Sequence, residues 1–204
     1  MELLQTKRLP LSQKILRDAT LYRVLLAVDD DLAAQVHTAG CPCGGRLHSA
    51  RYRRKPRGSL ALLPPGYRWR QSYCCERDGC RRRRTPPSVR FLGRRVYLGA
   101  VVVLVSALVH GPSPSRLRRL KALVGVSRRT VERWRRWWLS TFVASPVWED
   151  TRARLINVAV ARLPASLLER FAGEEMERLR RSLALLSPLT TRSCAGWSPL
   201  FEGR

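Results

Sequence analysis

Two clusters of cysteine constrain the fold of this chain more than any other feature of its sequence. The first cluster is Cys41-Pro42-Cys43-Gly44-Gly45, and the second runs from Cys74 and Cys75 to Cys80. Four thiolates from two turns can close a tetrahedral zinc site, which replaces the hydrophobic core that so small a module cannot build. The spacing therefore predicts a structural Zn2+ site whose ligands are Cys41, Cys43, Cys75 and Cys80.

The gaps between these cysteines leave alternative ligands open. One residue separates the first pair and four separate Cys75 from Cys80, whereas a wider gap in the first pair and a narrower one in the second are more usual in zinc sites. Cys74 could therefore take the place of Cys75, and His48 could replace one cysteine of the first pair. The alternative to any metal site is a set of buried or free thiols.

The chemistry around the cysteines favours a structural over a catalytic metal. A catalytic zinc needs an open coordination position and a nearby general base. The acids close to the cysteines in sequence are Glu76 and Asp78, and both lie inside the second cluster. The start of the chain has no apolar stretch typical of a secretion signal, so the thiols are expected to stay reduced in the cytoplasm.

Basic charge is concentrated in two segments of the chain. The formal net charge is +24, of which residues 41–95 carry +14 and residues 113–140 carry +8. A solvated surface would mix basic and acidic residues, whereas this distribution indicates a surface for a polyanion, of which nucleic acid is the simplest. Biased codon usage would explain many arginines, but it would not explain the scarcity of acids in the same segments.

Changes in composition along the chain predict four segments. Residues 1–40 are expected to form a helical segment and residues 41–95 a small zinc-ribbon-like β module. Residues 96–145 are expected to form a three-helix helix-turn-helix domain, and residues 146–204 a C-terminal helical segment with a loose tail from Ser187 onward. The expected fold class is α+β, mainly α.

Hydrophobic periodicity and capping residues predict the elements within these segments. Helices are expected over residues 11–37, as one or two helices, and over 96–109, 113–124, 127–141, 148–163 and 166–186. Short strands are expected within Ala50–Arg54 and Tyr67–Tyr73. The apolar run Val96–Val109 is shorter than the about 20 residues that cross a bilayer, so we expect a buried helix and no membrane partner.

The stretch Arg116–Trp134 carries the strongest local signal. It resembles the helix-turn-helix of bacterial DNA-binding proteins, because Gly125 can form the sharp turn between two helices and Ser127 can cap the second. The side chains expected to pack the second helix against the first are Val126, Val131 and Trp134. The first helix has Lys121 where a small residue is usual, so Ala122 is expected to face the partner helix.

The exposed side of the second helix is expected to enter the major groove, where arginine can bind guanine through two hydrogen bonds. These positions are Arg128, Arg129, Thr130, Glu132, Arg133 and Arg136. The basic residues of the first helix, which are expected to contact phosphates, are Arg118, Arg119 and Lys121. The alternative is a solvated basic helix pair within an α-helical bundle.

Two basic tracts near the cysteines could follow a phosphate backbone, with an affinity that falls steeply with salt. The uninterrupted tract is Arg81, Arg82, Arg83 and Arg84, and the other surrounds Tyr52. An RNA-binding or ribosome-associated zinc protein is the alternative, because aromatic side chains near these tracts could stack on unpaired bases. These aromatic residues are Tyr52, Tyr67, Trp69 and Tyr73.

The order of these motifs resembles the N-terminal zinc-ribbon and helix-turn-helix region of bacterial insertion-sequence transposases. The motifs are CPCGG, CC-x4-C, TPPSVRF and the Gly-Val-Ser turn, and they span about residues 41–141. The resemblance implies recognition of double-stranded DNA at the ends of mobile elements. In such transposases a following nuclease domain with three carboxylates cuts the DNA.

The end of the chain favours binding over catalysis. Only about 60 residues follow Thr141, and their acids lie mostly on one amphipathic stretch. We therefore expect a stand-alone, sequence-specific DNA-binding protein, transposase-associated or regulatory, and not an enzyme. A nuclease or transposase fragment working with a partner subunit is the catalytic alternative.

Location and protein partners follow from the same observations. The expected location is cytoplasmic and nucleoid-associated, because the chain is basic and shows no secretion signal. The apolar sides of residues 11–37 and 166–186 favour a homodimer, which would suit recognition of paired half-sites, or a partner protein of a mobile element.

Overall fold

The computed structural model describes residues 11–92, 97–107, 113–155 and 157–191. These residues have the α+β, mainly helical architecture that the sequence predicts, with 54% of them in helix and 8% in strand. The α-helices are α1 (Leu11–Arg17), α2 (Ala19–Thr38), α3 (Gly99–Ala107), α4 (Pro114–Val124), α5 (Arg128–Arg136), α6 (Pro146–Arg152), α7 (Ala165–Arg170) and α8 (Glu175–Leu186). A π-helix, Trp137–Phe142, continues α5, and 3-10 helices cover Val160–Arg162 and Ser187–Thr190.

The strands form two small antiparallel units. They are β1 (Leu47–Ser49), β2 (Tyr52–Arg53), β3 (Trp69–Arg70), β4 (Tyr73–Cys75) and β5 (Arg83–Arg84). In the three-stranded sheet β4 lies between β1 and β5, with Leu47 opposite Cys75. β2 and β3 form a separate hairpin in which Arg53 lies opposite Trp69. Strands therefore lie in both predicted β stretches, and the sheet brings the two cysteine clusters together.

Residues 11–37 form two helices, and the break between them is at Asp18. Its carboxylate accepts a hydrogen bond from the Thr20 backbone N–H at 2.8 Å and thereby caps α2. α2 then contributes to two separate hydrophobic clusters. Its residues in the main core include Leu21, Tyr22 and Leu25, and those in a smaller cluster against β1 and β4 are Ala33 and Val36.

The main core surrounds α3, whose sequence offers no polar face and therefore suits a helix enclosed on all sides. Every residue from Ala100 to Val105 is buried, and α3 packs against α1, α5 and α8. The large aromatic side chains of this core include Trp134, Trp138 and Phe142. All four predicted segments contribute to it, and the segment bounds themselves stay a prediction.

A buried ion pair joins α2 to the segment after β5. The side chains of Arg90 and Asp29 are 0% and 1% exposed, and the Arg90 Nε donates to the Asp29 Oδ2 at 2.7 Å. The other two guanidinium nitrogens donate to the backbone carbonyls of Tyr67 at 2.6 Å and of Trp69 at 3.0 Å. One arginine thus connects α2 with β3 and with the residues just before β3.

The aspartate of this pair is equally well satisfied. Asp29 also accepts hydrogen bonds from the Val89 backbone N–H at 2.6 Å and from the Ser88 hydroxyl at 2.5 Å. The Ser88 backbone N–H donates in turn to the Thr190 hydroxyl at 2.9 Å. The TPPSVRF motif is therefore the place where α2, the hairpin and the 3-10 helix after α8 meet, a role that the sequence did not indicate.

One prediction for the C-terminal segment is wrong, and a second is wrong for the first residues that it covers. The helix expected over residues 148–163 ends as α6 at Arg152, and Asn157 has a left-handed backbone with φ of 66°, which a right-handed helix cannot contain. The tail predicted to be loose from Ser187 onward begins with a 3-10 helix, and Ser187 itself is buried. The rest of that tail, residues 192–204, lies outside the described residues.

The apolar sides of the terminal helices are covered within the chain. The predicted stretch 166–186 forms α7 and α8, whose break contains Gly173 at φ 99°. Leu25 of α2 and Leu179 and Leu183 of α8 are fully buried in the main core. A homodimer stays a prediction, and it would need surfaces other than these apolar sides.

Candidate metal centre and nucleic-acid interface

The structure brings together the cysteines that the spacing predicts as ligands. The sulfur atoms of Cys41, Cys43, Cys75 and Cys80 all lie within 4.8 Å of one another. The Sγ atoms of Cys41 and Cys80 are 3.7 Å apart, and those of Cys43 and Cys75 are 3.5 Å apart. Tetrahedral thiolates at a metal–sulfur distance of about 2.3 Å are separated by about 3.8 Å. The group can therefore hold one metal ion with little movement.

Neither alternative ligand lies in this group. The Cys74 Sγ lies 3.5 Å from the Arg81 carbonyl oxygen, because adjacent residues of β4 point to opposite faces of the sheet. The His48 Nε2 lies 3.2 Å from the Glu76 carboxylate. Among the described residues, the potential metal site thus consists of thiols alone.

Each cysteine pair lies on a short turn, called a knuckle here: Cys41 and Cys43 on the first, Cys75 and Cys80 on the second. The conformation of the first knuckle depends on Gly44 and Gly45. Gly44 has φ of 79°, in the left-handed region that glycine enters without strain. Gly45 approaches the sulfur atoms so closely that a Cβ there would lie 2.6 Å from the Cys75 Sγ and 3.5 Å from the Cys43 Sγ. A side chain at position 45 therefore has to displace a ligand.

We expect Gly45→Ala to weaken metal binding by about tenfold or more, because the sulfur must move away from the geometry that the ion requires. Competition with a chromogenic chelator measures this affinity. Gly66→Ala is the control, because it strains a left-handed backbone at φ 82° but places its methyl group where no atom lies within 4 Å. Equal affinities for the two variants would contradict the close approach.

The hydrogen bonds around the site shift the pKa values of its acidic groups in different directions. The Gly45 backbone and the neighbouring thiols lower the pKa of Cys43 to about 6. The Arg77 backbone lowers the pKa of Cys75, but burial and the hydrogen bonds with the same thiols outweigh this effect and raise that pKa to about 12. Cys43 is therefore a stronger acid than Cys75.

The Arg46 backbone N–H donates to the Glu76 carboxylate at 3.0 Å and, together with His48, lowers the pKa of that carboxyl. Glu76 thereby links the two knuckles without touching the sulfur group.

The metal centre is attached to the end of α2. Cys41 and Cys75 pack with Val36 in the smaller hydrophobic cluster. The Tyr73 hydroxyl donates to the Ala33 carbonyl at 3.1 Å, so β4 is bonded to the helix directly. Formation of the metal site and docking of α2 therefore depend on the same side chains.

The two helices predicted for a helix-turn-helix are present as α4 and α5. Gly125 has φ of 69° in the turn, and the Ser127 hydroxyl caps α5 by accepting from the Thr130 backbone N–H at 3.3 Å. The side chains predicted to pack α5 are all buried, namely Val126, Val131 and Trp134. The local geometry expected from the sequence is confirmed for this turn and its cap.

The packing side of α4 differs from the expectation. The sequence predicts that Ala122 faces the partner helix, but Ala122 is exposed, as is Lys121. Leu120 and Val124 are buried in its place, because their spacing of four residues puts both on the side facing the core. The turn is held further by Tyr97, whose hydroxyl donates to the Gly125 carbonyl at 2.8 Å, a contact that the sequence did not indicate.

The side chains predicted to contact DNA from α4 and α5 lie mostly at the surface. The exposed ones are Arg118, Arg119, Lys121, Arg128, Arg129, Glu132, Arg133 and Arg136, and Thr130 is half-buried. Arg135 is also exposed, which the prediction omitted. The Arg128 Nε donates to the Glu132 carboxylate at 2.7 Å, so this pair is partly neutralised. The remaining arginines of α5 give that helix an exposed cationic surface.

The arginine tract after the second cluster is not uniformly exposed. Arg81, Arg82 and Arg83 lie at the surface and Arg84 is half-buried, the last two forming β5. Arg81 donates to the Asp78 carboxylate at 2.5 Å. This tract therefore adds positive charge beside the four-cysteine group, mainly through Arg81, Arg82 and Arg83.

Two of the aromatic residues considered for base stacking are buried. Tyr67 is 0% exposed and Tyr73 is 8% exposed, because both pack into hydrophobic clusters. Tyr52 is half-buried, and Trp69 is exposed. Trp69 is thus accessible for stacking on a base, whereas Tyr67 and Tyr73 are not.

Comparison with known proteins gives no match: no protein-family model, no curated protein and no solved structure is similar to the chain. Within the part of the chain that the structure describes, no helix is both long and apolar enough to cross a membrane.

Proposed function

We propose that this chain is a sequence-specific, double-stranded DNA-binding protein that serves a mobile element or a promoter. The observation that carries the proposal is the surface of α5, where exposed arginines follow a capped helix start and a tight glycine turn. A helix placed in this way can enter the major groove, and the preceding helix then lies across the backbone. The resemblance of the motif order to that of insertion-sequence transposases supports the same assignment.

Each helix would have its own task on the duplex. Arg129 and Arg133 lie one turn apart on α5 and, unlike Arg128, have no acidic partner among the described ion pairs. They are the side chains we assign to guanine recognition. The α4 residues assigned to phosphate contacts are Arg118, Arg119 and Lys121, which fix the position of the protein without reading sequence.

We further propose that the ion held by the four cysteines is zinc in a structural role. Four thiolates close the coordination shell, which leaves no position for a substrate or an activated water. Binding to a duplex needs no catalytic centre, so a structural ion suits the proposed function. The proposal is thus a binding protein rather than an enzyme, with a cytoplasmic, nucleoid-associated location.

The test is selection of bound fragments from sheared genomic DNA by the zinc-loaded protein, with excess structured RNA as competitor. We expect a shared sequence motif, because two arginines that read guanines discriminate among duplexes. On a duplex with that motif, the double variant Arg129→Ala, Arg133→Ala should bind roughly 100-fold more weakly, since each lost bidentate contact removes about 1–3 kcal/mol.

The matched control is the double variant Arg152→Ala, Arg154→Ala. It removes the same charge from exposed positions on and just after α6. Its affinity should fall only slightly, through the weaker overall field. Equal losses of affinity in the two double variants would contradict sequence reading by α5. If the RNA competitor displaced all of the DNA and no motif were recovered, RNA would replace DNA as the proposed ligand.

A further inference from the structure

One face of the β2–β3 hairpin carries arginines around an exposed tryptophan. Trp69 lies opposite Arg53 in the strand register and is 38% exposed. The Arg51 guanidinium carbon lies 4.9 Å from the centroid of a Trp69 ring, which is a cation–π contact. Arg51 and Arg53 are two residues apart on extended backbone, so both share the face of Trp69.

Trp69 also borders a groove of about 680 Å³. Arg53 and Arg68 line it as well, and none of its described lining residues is acidic. Leu62, which is 91% exposed, adds an apolar side chain. An aromatic ring with cations beside it is the arrangement by which proteins hold unpaired bases and their phosphates.

This groove is held in a fixed relation to the helix-turn-helix. Arg57, which follows β2, forms a parallel bridge with Tyr97, and its carbonyl accepts the Leu98 backbone N–H at 3.1 Å. The Tyr97 hydroxyl bonds the turn at Gly125, and its ring packs edge-on against Trp134 with centroids 5.2 Å apart. The hairpin segment and α5 therefore share Tyr97 as a common support.

We infer that the Trp69 groove is a second nucleic-acid site, which takes an unpaired nucleotide of the DNA that α5 binds as duplex. The choice of DNA rests on the proposed function. The base stacks on the face of the Trp69 ring that the Arg51 guanidinium does not cover, and the flanking phosphates meet Arg53 and Arg68. Because every base offers a π-face, the groove adds affinity without sequence preference.

Three probes separate the two sites: a blunt duplex, the same duplex with a single-stranded thymidine tail, and a free thymidine oligonucleotide. For the wild-type chain the tail should increase affinity over the blunt duplex. Trp69→Ala should lose roughly tenfold on the tailed duplex and on the free oligonucleotide, and Trp69→Phe should recover most of it. Both variants should bind the blunt duplex normally.

The Trp69 substitution leaves the buried ion pair intact, because Arg90 bonds the backbone carbonyl of Trp69 and not its side chain. An unchanged metal content and unfolding midpoint would verify this.

The variant Arg129→Ala, Arg133→Ala should lose binding to the blunt duplex and keep binding to the thymidine oligonucleotide. A failure of the α5 assignment is therefore distinguishable from a failure of the groove assignment. Equal binding of the tailed duplex by Trp69→Ala and wild type would overturn the inference. A tighter complex with a uridine than with a thymidine oligonucleotide would overturn the assignment to DNA.

Discussion

Cys41→Ser is expected to abolish stoichiometric metal binding and to unfold the sheet of β1, β4 and β5. The sulfur of Cys41 lies 3.7 Å from that of Cys80 and within 4.8 Å of every other member of the group. The strands around it contain only two or three residues each, so they cannot form a stable core by themselves. In small zinc modules the ion contributes about 10–16 kcal/mol of apparent folding free energy.

Cys74→Ser is the matched control for this prediction. Cys74 is the sequence neighbour of a ligand, but its sulfur lies against the Arg81 carbonyl on the other face of β4. For this variant we expect one metal ion per chain and the same unfolding midpoint as the wild-type chain. Metal analysis and thermal unfolding followed by circular dichroism measure both quantities. If Cys41→Ser retained the ion, or if Cys74→Ser lost it, the four-cysteine ligand set would be wrong.

The second large effect is expected at Asp29. Asp29→Ala leaves the Arg90 guanidinium buried without its counter-charge, and removal of one partner of a buried pair lowers the free energy of unfolding by about 3–5 kcal/mol. The loss should exceed that of an ordinary surface substitution, since the carboxylate also accepts from Ser88 and Val89. Urea denaturation measures it.

The adjacent Asp30 provides the control. It lies on the same helix, is exposed, and has the same charge. Asp30→Ala should change the free energy of unfolding by less than about 0.5 kcal/mol. Asp29→Ala combined with Arg90→Met should cost less than the sum of the single changes, because the double variant has no unpaired charge. Additive losses would show that the two side chains do not depend on each other.

The grouping of the four cysteines could be predicted from sequence, because each pair of thiols lies on one short turn. Cysteine ligands lie on short knuckles, and glycines at 44 and 45 mark the turn that folds around sulfur. The sequence favoured Cys75 but left Cys74 open as an alternative, and the strand register excludes Cys74, since alternation on β4 decides which sulfur faces the site. The same holds for α4, where the buried side could be assigned only once the partner helices were known.

The ion pair of Asp29 and Arg90 could not be assigned from sequence, although the position of Asp29 alone indicates a buried charge. Asp29 stands in the apolar stripe of α2 between Leu25 and Leu32, where a charge needs a partner. Nothing local identifies that partner, because Arg90 is one of many arginines and lies far along the chain. Arg135 was left out of the predicted DNA-contact residues for a similar reason. Whether it is exposed depends on which elements pack against α5, and the sequence does not identify them.

α2 has a thermodynamic consequence that reaches beyond its own contacts. At 20 residues it is a rod of about 30 Å, and its two ends belong to different hydrophobic clusters. Because the four-cysteine group lies at one end and Asp29 lies between the two clusters, binding of an ion there would be reciprocally linked to the packing of the helical core. A tenfold rise in free metal concentration above its dissociation constant then adds about 1.4 kcal/mol to the stability of the linked unit. The concentration of free ion would thereby become a variable that sets the stability of the helical core.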